Sequence, residues 1–145
     1  VVLVAIDPGK VTGVATFEDG VLVHATVCTP EECRNLIKTK VSGVCVIEVP
    51  QVYPGQQQKG DQNDLINLAV DVGRYAERAE AGRFRVILVR PREWKGQLPK
   101  DVCWKRVRET LTLLERANMA KVPKSQAHNM HDAIGIGTWF QKRRR

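Results

Sequence analysis

The sequence has no apolar run near the ~18–20 residues that cross a bilayer as a helix, which excludes a helical membrane span. Its opening run, Val1-Val2-Leu3-Val4-Ala5-Ile6, meets Asp7 at once. That is too short for a signal-peptide core, and no basic segment precedes it. Cysteine is sparse: Cys28, Cys33, Cys45 and Cys103 are the four. None stands in a C-x-x-C pair, so the usual zinc and disulfide frameworks are excluded. The thiols read as reduced and mostly buried, in an intracellular, cytoplasmic protein. No internal repeat and no linker divides the chain, so residues 1–145 are expected to form a single domain with a basic, frayed tail at 142–145. Acid is the scarcer charge: 16 Asp and Glu stand against 23 Lys and Arg, a net charge of +7. That imbalance points to a polyanionic partner, either nucleic acid or an anionic surface, and the distribution of charge must decide between them.

What is present reads as alternating strands and helices. Val1 to Ile6 is a continuous β-branched run, expected as a buried strand. Val14 to Phe17 and Val21 to Val27 are two more strands, with Glu18-Asp19-Gly20 as a hairpin turn. Thr29-Pro30-Glu31-Glu32 is a helix start, and that helix is expected to reach about Lys40. Val44 to Val49 is a further strand, and Gln51 to Gln62 a polar loop. Asn63 or Asp64 is expected to cap a helix carrying Leu65, Leu68, Val72, Tyr75 and Ala79, which Gly82 ends. That apolar face suits either the core or an interface. Arg85 to Val89 is the last strand. A basic loop to Lys100, a helix over Val102 to Ala117 with Val107, Leu111 and Leu114 as its stripe, and a helix capped by Ser125 over Gln126 to Phe140 complete the chain. The layout is α/β, with one sheet flanked by helices.

Three acids stand where chemistry is expected. Asp7 ends the first buried strand. Glu48 closes the apolar run Val44-Cys45-Val46-Ile47, where a carboxylate is expensive unless a metal or a cation compensates it. Asp132 lies early in the last helix, whose Gly135 and Gly137 permit close packing on the sheet and so bring it towards the strand ends. Singly, each has an ordinary reading as a turn residue, a solvated strand end or a dipole partner. Together they are hard oxygen donors suited to Mg²⁺ or Mn²⁺. At about 100° per residue, His128 lies about 40° from Asp132, Asn129 about 60° and His131 about 100°. His128 or Asn129 is therefore the neighbour of the site, and His131 is expected at the surface or in a capping role.

Asp7-Pro8-Gly9-Lys10-Val11-Thr12-Gly13, then Ile47-Glu48, then Asp132-Ala133-Ile134-Gly135-Ile136 resemble the motifs of the RuvC family of Holliday-junction resolvases. Gln51-Val52-Tyr53, Asn67 to Arg74, Val89-Arg90-Pro91 with Trp94-Lys95, and Lys100 also have counterparts there, so the resemblance spans nearly the whole chain. It implies an RNase H-like fold with a five-stranded mixed sheet. It implies a homodimer that binds four-way DNA junctions and nicks two strands with divalent metal. The sequence departs from the family pattern at Asn129, where an acid or a histidine is usual, and in the short segment Lys95 to Lys100.

With Mg²⁺ or Mn²⁺, two per active site, Asp7 is expected to bridge the ions while Glu48 and Asp132 each hold one and Asn129 offers a neutral donor. His128 is the candidate to orient or deprotonate water, and Lys95 to offset charge in the transition state. Arg90, Arg92, Lys95, Lys100, Lys105 and Arg106 are candidate phosphate contacts, in a basic stretch running from Arg83 to Arg108. Tyr53 is placed to stack on an unpaired base. A membrane surface has no use for such an acidic centre. An RNA-processing or RNA/DNA-hybrid nuclease of the same fold, and a non-catalytic junction-binding module, remain alternatives. An actin-like or sugar-kinase domain uses a similar turn but needs a second domain to close over its nucleotide.

Overall fold

The computed structural model describes residues 1–37, 42–52 and 61–144. Five strands form one mixed sheet in the order β3-β2-β1-β4-β5: β1 (Val2–Asp7), β2 (Thr12–Glu18), β3 (Val21–Cys28), β4 (Gly43–Glu48) and β5 (Phe84–Val89). β1, β2 and β3 are antiparallel neighbours, while β4 and β5 run parallel to β1. The β2–β3 hairpin turns through Asp19 and Gly20, both at positive φ (48° and 89°). That is the pairing a tight hairpin demands.

Period-two alternation assigns the two faces. Leu3, Ala5, Val44 and Val46 pack on one face with Met130, Ala133, Ile134, Ile136 and Phe140 of the long C-terminal helix. Ile6, Cys45 and Ile47 pack on the other, against Cys33, Ile37, Val72, Tyr75 and Ala79. The second group comes from α1 (Pro30–Leu36) and α2 (Gln62–Ala81). Val72 and Tyr75 of the apolar face expected of α2 are thus core, while Leu65 and Leu68 are half-buried; Ile66 and Val70, one turn apart, are 61 % and 50 % exposed. All four cysteines are free; Cys33 and Cys45 are buried, and Cys28 and Cys103 partly so.

Several boundaries differ from the sequence expectation for identifiable reasons. α1 is Pro30–Leu36, with Ile37 as its C-cap; the expected end near Lys40 lies outside the described residues. The cap of α2 is Asp61, not Asn63 or Asp64: its carboxylate accepts from the Asn63 N–H at 2.9 Å. The basic loop contains a short helix, α3 (Pro91–Lys95), started by a proline and by Glu93, which accepts from the Arg90 N–H at 3.1 Å. The helix expected over Val102 to Ala117 is two, α4 (Lys100–Thr110) and α5 (Leu113–Ala117). Leu111 is extended and buried between them, and Thr112 and Glu115 cap each other reciprocally. Glu115 also accepts from the Leu22 N–H at 3.0 Å, tying α5 to β3, and Leu114 is left 69 % exposed rather than in a core stripe. The last helix, α6 (Ala127–Lys142), is preceded by a 3₁₀ turn over Lys124–Gln126, so Gln126 rather than Ser125 is its cap.

Candidate active site

Asp7 and Glu48 are the last residues of two adjacent parallel strands. Ile6 pairs with Ile47, so the two acids emerge side by side. Counting by twos from Leu3 and Ala5, and from Val44 and Val46, turns both carboxylates towards the face covered by α6. Ligands in open α/β sheets bind at this carboxyl end of the strands. α6 approaches very closely there. A Cβ on Gly13 would stand 1.9 Å from the carbonyl oxygen of Asn129, and a Cβ on Gly135 would stand 2.7 Å from the Trp94 ring. Only residues without a side chain permit this contact, which carries Asp132 to the strand ends.

The electrostatics show the three acids within reach of one another. Asp7 is 7 % exposed. Burial first, then Glu48 and Asp132, raise its carboxyl well above the ordinary value, against the pull of Lys100 and Lys95. Burial also raises Glu48, opposed by the Trp94 indole N–H and by Lys95. Asp132 is raised by burial and pulled back by Lys95, Lys100 and His128. Two lysines therefore face all three carboxylates.

The donor set fits a hard divalent cation in kind. Asp7 is buried and Glu48 and Asp132 are half-buried, all three are carboxylates, and Asp7 has no side-chain hydrogen bond or ion pair among the described residues. Those residues do not, however, gather three Asp, Glu, His or Cys side chains into a ready coordination shell. To hold an ion the side chains would have to draw in.

The remaining candidates are spread more widely. His128 is exposed and acts electrostatically on Asp132. Asn129 is half-buried, with its backbone carbonyl against Gly13. His131 is not a surface or capping residue: its ring stacks on Trp104 of α4, centroids 3.6 Å apart. Arg90, Arg92, Lys105 and Arg106 are exposed on or beside α3 and α4. Tyr53 lies outside the described residues. The basic stretch is not one surface. Arg83 and Arg85 sit at the start of β5 and Arg90 just past its end, roughly 17 Å on at the rise of a strand. The tail also leaves from the far end of α6. There the Arg143 guanidinium lies over the Trp139 ring and that of Arg144 over Phe140.

Sequence reasoning missed Trp94 as a site residue. Its indole N–H donates to Glu48 Oε2 at 2.5 Å. The signal was a large aromatic in an otherwise polar, basic segment. Lys100, expected only as a phosphate contact, belongs with the acids.

The structure of Thermus thermophilus RuvC superposes with a TM-score of 0.65 at 18 % identity, over 99 % of this chain and 96 % of that one. T. thermophilus RuvC in complex with a Holliday junction substrate gives 0.64 and 18 %, over 99 % and 95 %. The chain has a RuvC-like fold. No protein-family model matches the sequence, and no curated protein does. The RuvC-like fold is the RNase H-like arrangement expected from the motifs, a five-stranded mixed sheet flanked by helices. No helix among the described residues is long and apolar enough to cross a membrane.

Proposed function

We propose that this chain is a divalent-metal-dependent endodeoxyribonuclease that resolves four-way or otherwise branched DNA by paired nicking. The observation that carries the reading is the gathering of three acids at the carboxyl ends of β1 and β4: Glu48 and Asp132 both raise the Asp7 carboxyl, and Lys95 and Lys100 pull all three down. The fold shared with a protein whose structure holds a Holliday junction supports the choice of substrate. Asp7, Glu48 and Asp132 would hold Mg²⁺ or Mn²⁺, two ions per site, with Asn129 the nearest neutral donor in sequence. The metal supplies an activated water and charge stabilisation on the leaving oxygen.

The chain's own groups do the rest. Lys95 and Lys100 attract the scissile phosphate and offset the charge that grows on it. His128, exposed and acting electrostatically on Asp132, takes a proton from water in this reading. Arg90, Arg92, Lys105 and Arg106 hold the duplex arms through phosphates without reading sequence, and Tyr53 stacks at the crossover. Residues 1–145 act as one nuclease domain. Two incisions related by symmetry call for a homodimer, and exposed Ile66 and Val70 on α2 offer it an apolar contact. The site belongs to intracellular DNA rather than a membrane surface.

The test is cleavage of a synthetic four-way junction in Mg²⁺ by wild type and Asp7→Asn. Wild type is expected to introduce paired nicks, and the variant to bind without nicking. Normal nicking by Asp7→Asn would remove the site assignment. Cleavage of an RNA/DNA hybrid but not the junction would change the substrate, and binding with no cleavage by either protein would leave a junction-binding module.

A further inference from the structure

We propose that Trp94 is the positioning residue of this site: its indole N–H fixes Glu48 while its ring, seated on Gly135, locks α3 and Lys95 against α6. The inference rests on the metal-dependent reading above and deepens it. Trp94 is 8 % exposed and is the one buried residue of a five-residue helix too short to hold itself in place. Its ring meets α6 at a glycine, where any side chain would collide with it. Its N–H reaches the carboxylate at the end of β4. Lys95, the next residue, lies with its ammonium 5.2 Å from the same ring. One indole thus touches three parts of the site: an acid on the sheet, the helix that carries Asp132, and a lysine.

The hydrogen bond occupies one oxygen of Glu48 and leaves the other for an ion. A carboxylate held in this way loses less side-chain freedom when it binds metal. Trp94 touches no reacting atom, so its role is positional. Outer partners of this kind are typically worth about 10–100-fold in metal affinity or activity.

The experiment measures Mn²⁺ binding to the full chain by calorimetry, beside thermal unfolding and junction nicking. Trp94→Phe keeps a smaller aromatic ring in the packing, with less contact on Gly135, and removes the donor. It is expected to weaken Mn²⁺ about tenfold or more, and to raise the Mn²⁺ concentration needed for half-maximal nicking. Trp94→His, which restores an N–H, is expected to recover part of that loss. Gly135→Ala removes no polar group but forces the ring to shift from its seat, and is expected to weaken Mn²⁺ in the same direction. It also keeps the test alive if Trp94→Phe fails to fold. Wild-type Mn²⁺ affinity in Trp94→Phe or, where that variant is unfolded, in Gly135→Ala overturns the proposal and leaves the nuclease reading standing. No Mn²⁺ binding by the wild type overturns the nuclease reading, and the role of Trp94 with it.

Discussion

The imidazole of His131 lies flat on the indole of Trp104, with ring centroids 3.6 Å apart and planes 4° from parallel. The contact joins α6 to α4 one residue before Asp132, and Trp104 stands one helical turn after Lys100. Trp94 and Gly135 make the matching contact on the other side of Asp132. Each lysine that faces the acids is thus carried on an element docked to α6 by a tryptophan.

Burial first, then the charges of His128 and Arg108, pull the His131 imidazole down from 6.5 to about 4. A histidine held neutral in the fold contributes stability that is full above pH 6.5. That contribution is lost as pH falls towards about 4, because the unfolded chain takes up the proton first. His131→Phe keeps the stack and does not titrate. Melting temperatures between pH 7 and pH 4 are expected to fall less steeply for the variant than for wild type. Asp7, Glu48 and Asp132 act with opposite sign in the acid range, but they are common to both proteins and cancel in the comparison. Identical slopes would mean that His131 is protonated as easily folded as unfolded.

Asp7 carries the reverse linkage. Its carboxyl is raised well above 3.8 by burial and by its two acidic neighbours, so the ionised form opposes folding. A protonated Asp7 is favoured in the fold, and that advantage disappears as pH rises from 3.8 through the raised folded value. At neutral pH without added divalent metal, Asp7→Asn is expected to stabilise the chain by roughly 0.5–2 kcal/mol. At this chain length that is a few degrees in Tm. Saturating Mn²⁺ is expected to reverse the order, because only the wild type gains from binding. Calorimetric scans with and without Mn²⁺ check both halves.

Gly13 of β2 lies against the backbone of α6. An added Cβ would meet the Asn129 carbonyl oxygen and carbon at 1.9 and 2.5 Å, and both are backbone atoms that cannot rotate aside. Gly13→Ala is expected to cost at least the ~1–3 kcal/mol of an overpacked core. It should also displace Asp132 and abolish nicking. Gly73, in mid-α2 with open space around its Cβ position, is the control. Gly73→Ala is expected to raise stability by about 0.5–1 kcal/mol. Urea midpoints read both.

Lys100 lowers the proton affinity of all three acids, and the same field opposes a metal ion. Lys100→Ala is expected to tighten Mn²⁺ binding by up to about fivefold, the range of a partly screened charge pair. Nicking should slow at saturating metal, because the phosphate loses a cation. Tighter metal with unchanged nicking would limit Lys100 to tuning the acids.

The sequence by itself determined the sheet, its hairpin and the two acids at strand ends. Strand patterning is local: Val44 to Ile47 can only be a buried strand, and a carboxylate at its end is legible without any tertiary contact. It also placed Asp132 on a helix rich in small residues. The rest depended on distances along the chain that no local pattern records. The break at Leu111 follows from Thr112 and Glu115 capping each other while Glu115 also reaches Leu22. Period alone reads straight through that break, because Val107, Leu111 and Leu114 keep helical spacing. The basic run looked continuous until β5 set its two parts at opposite ends of one strand. Only the tertiary structure brought Trp94 to Glu48, 46 residues apart, and seated that indole on a glycine of a third element. A hydrogen bond between distant side chains is fixed by how helices pack on the sheet, and the packing here is set by the places where α6 has no side chain to keep its neighbours away.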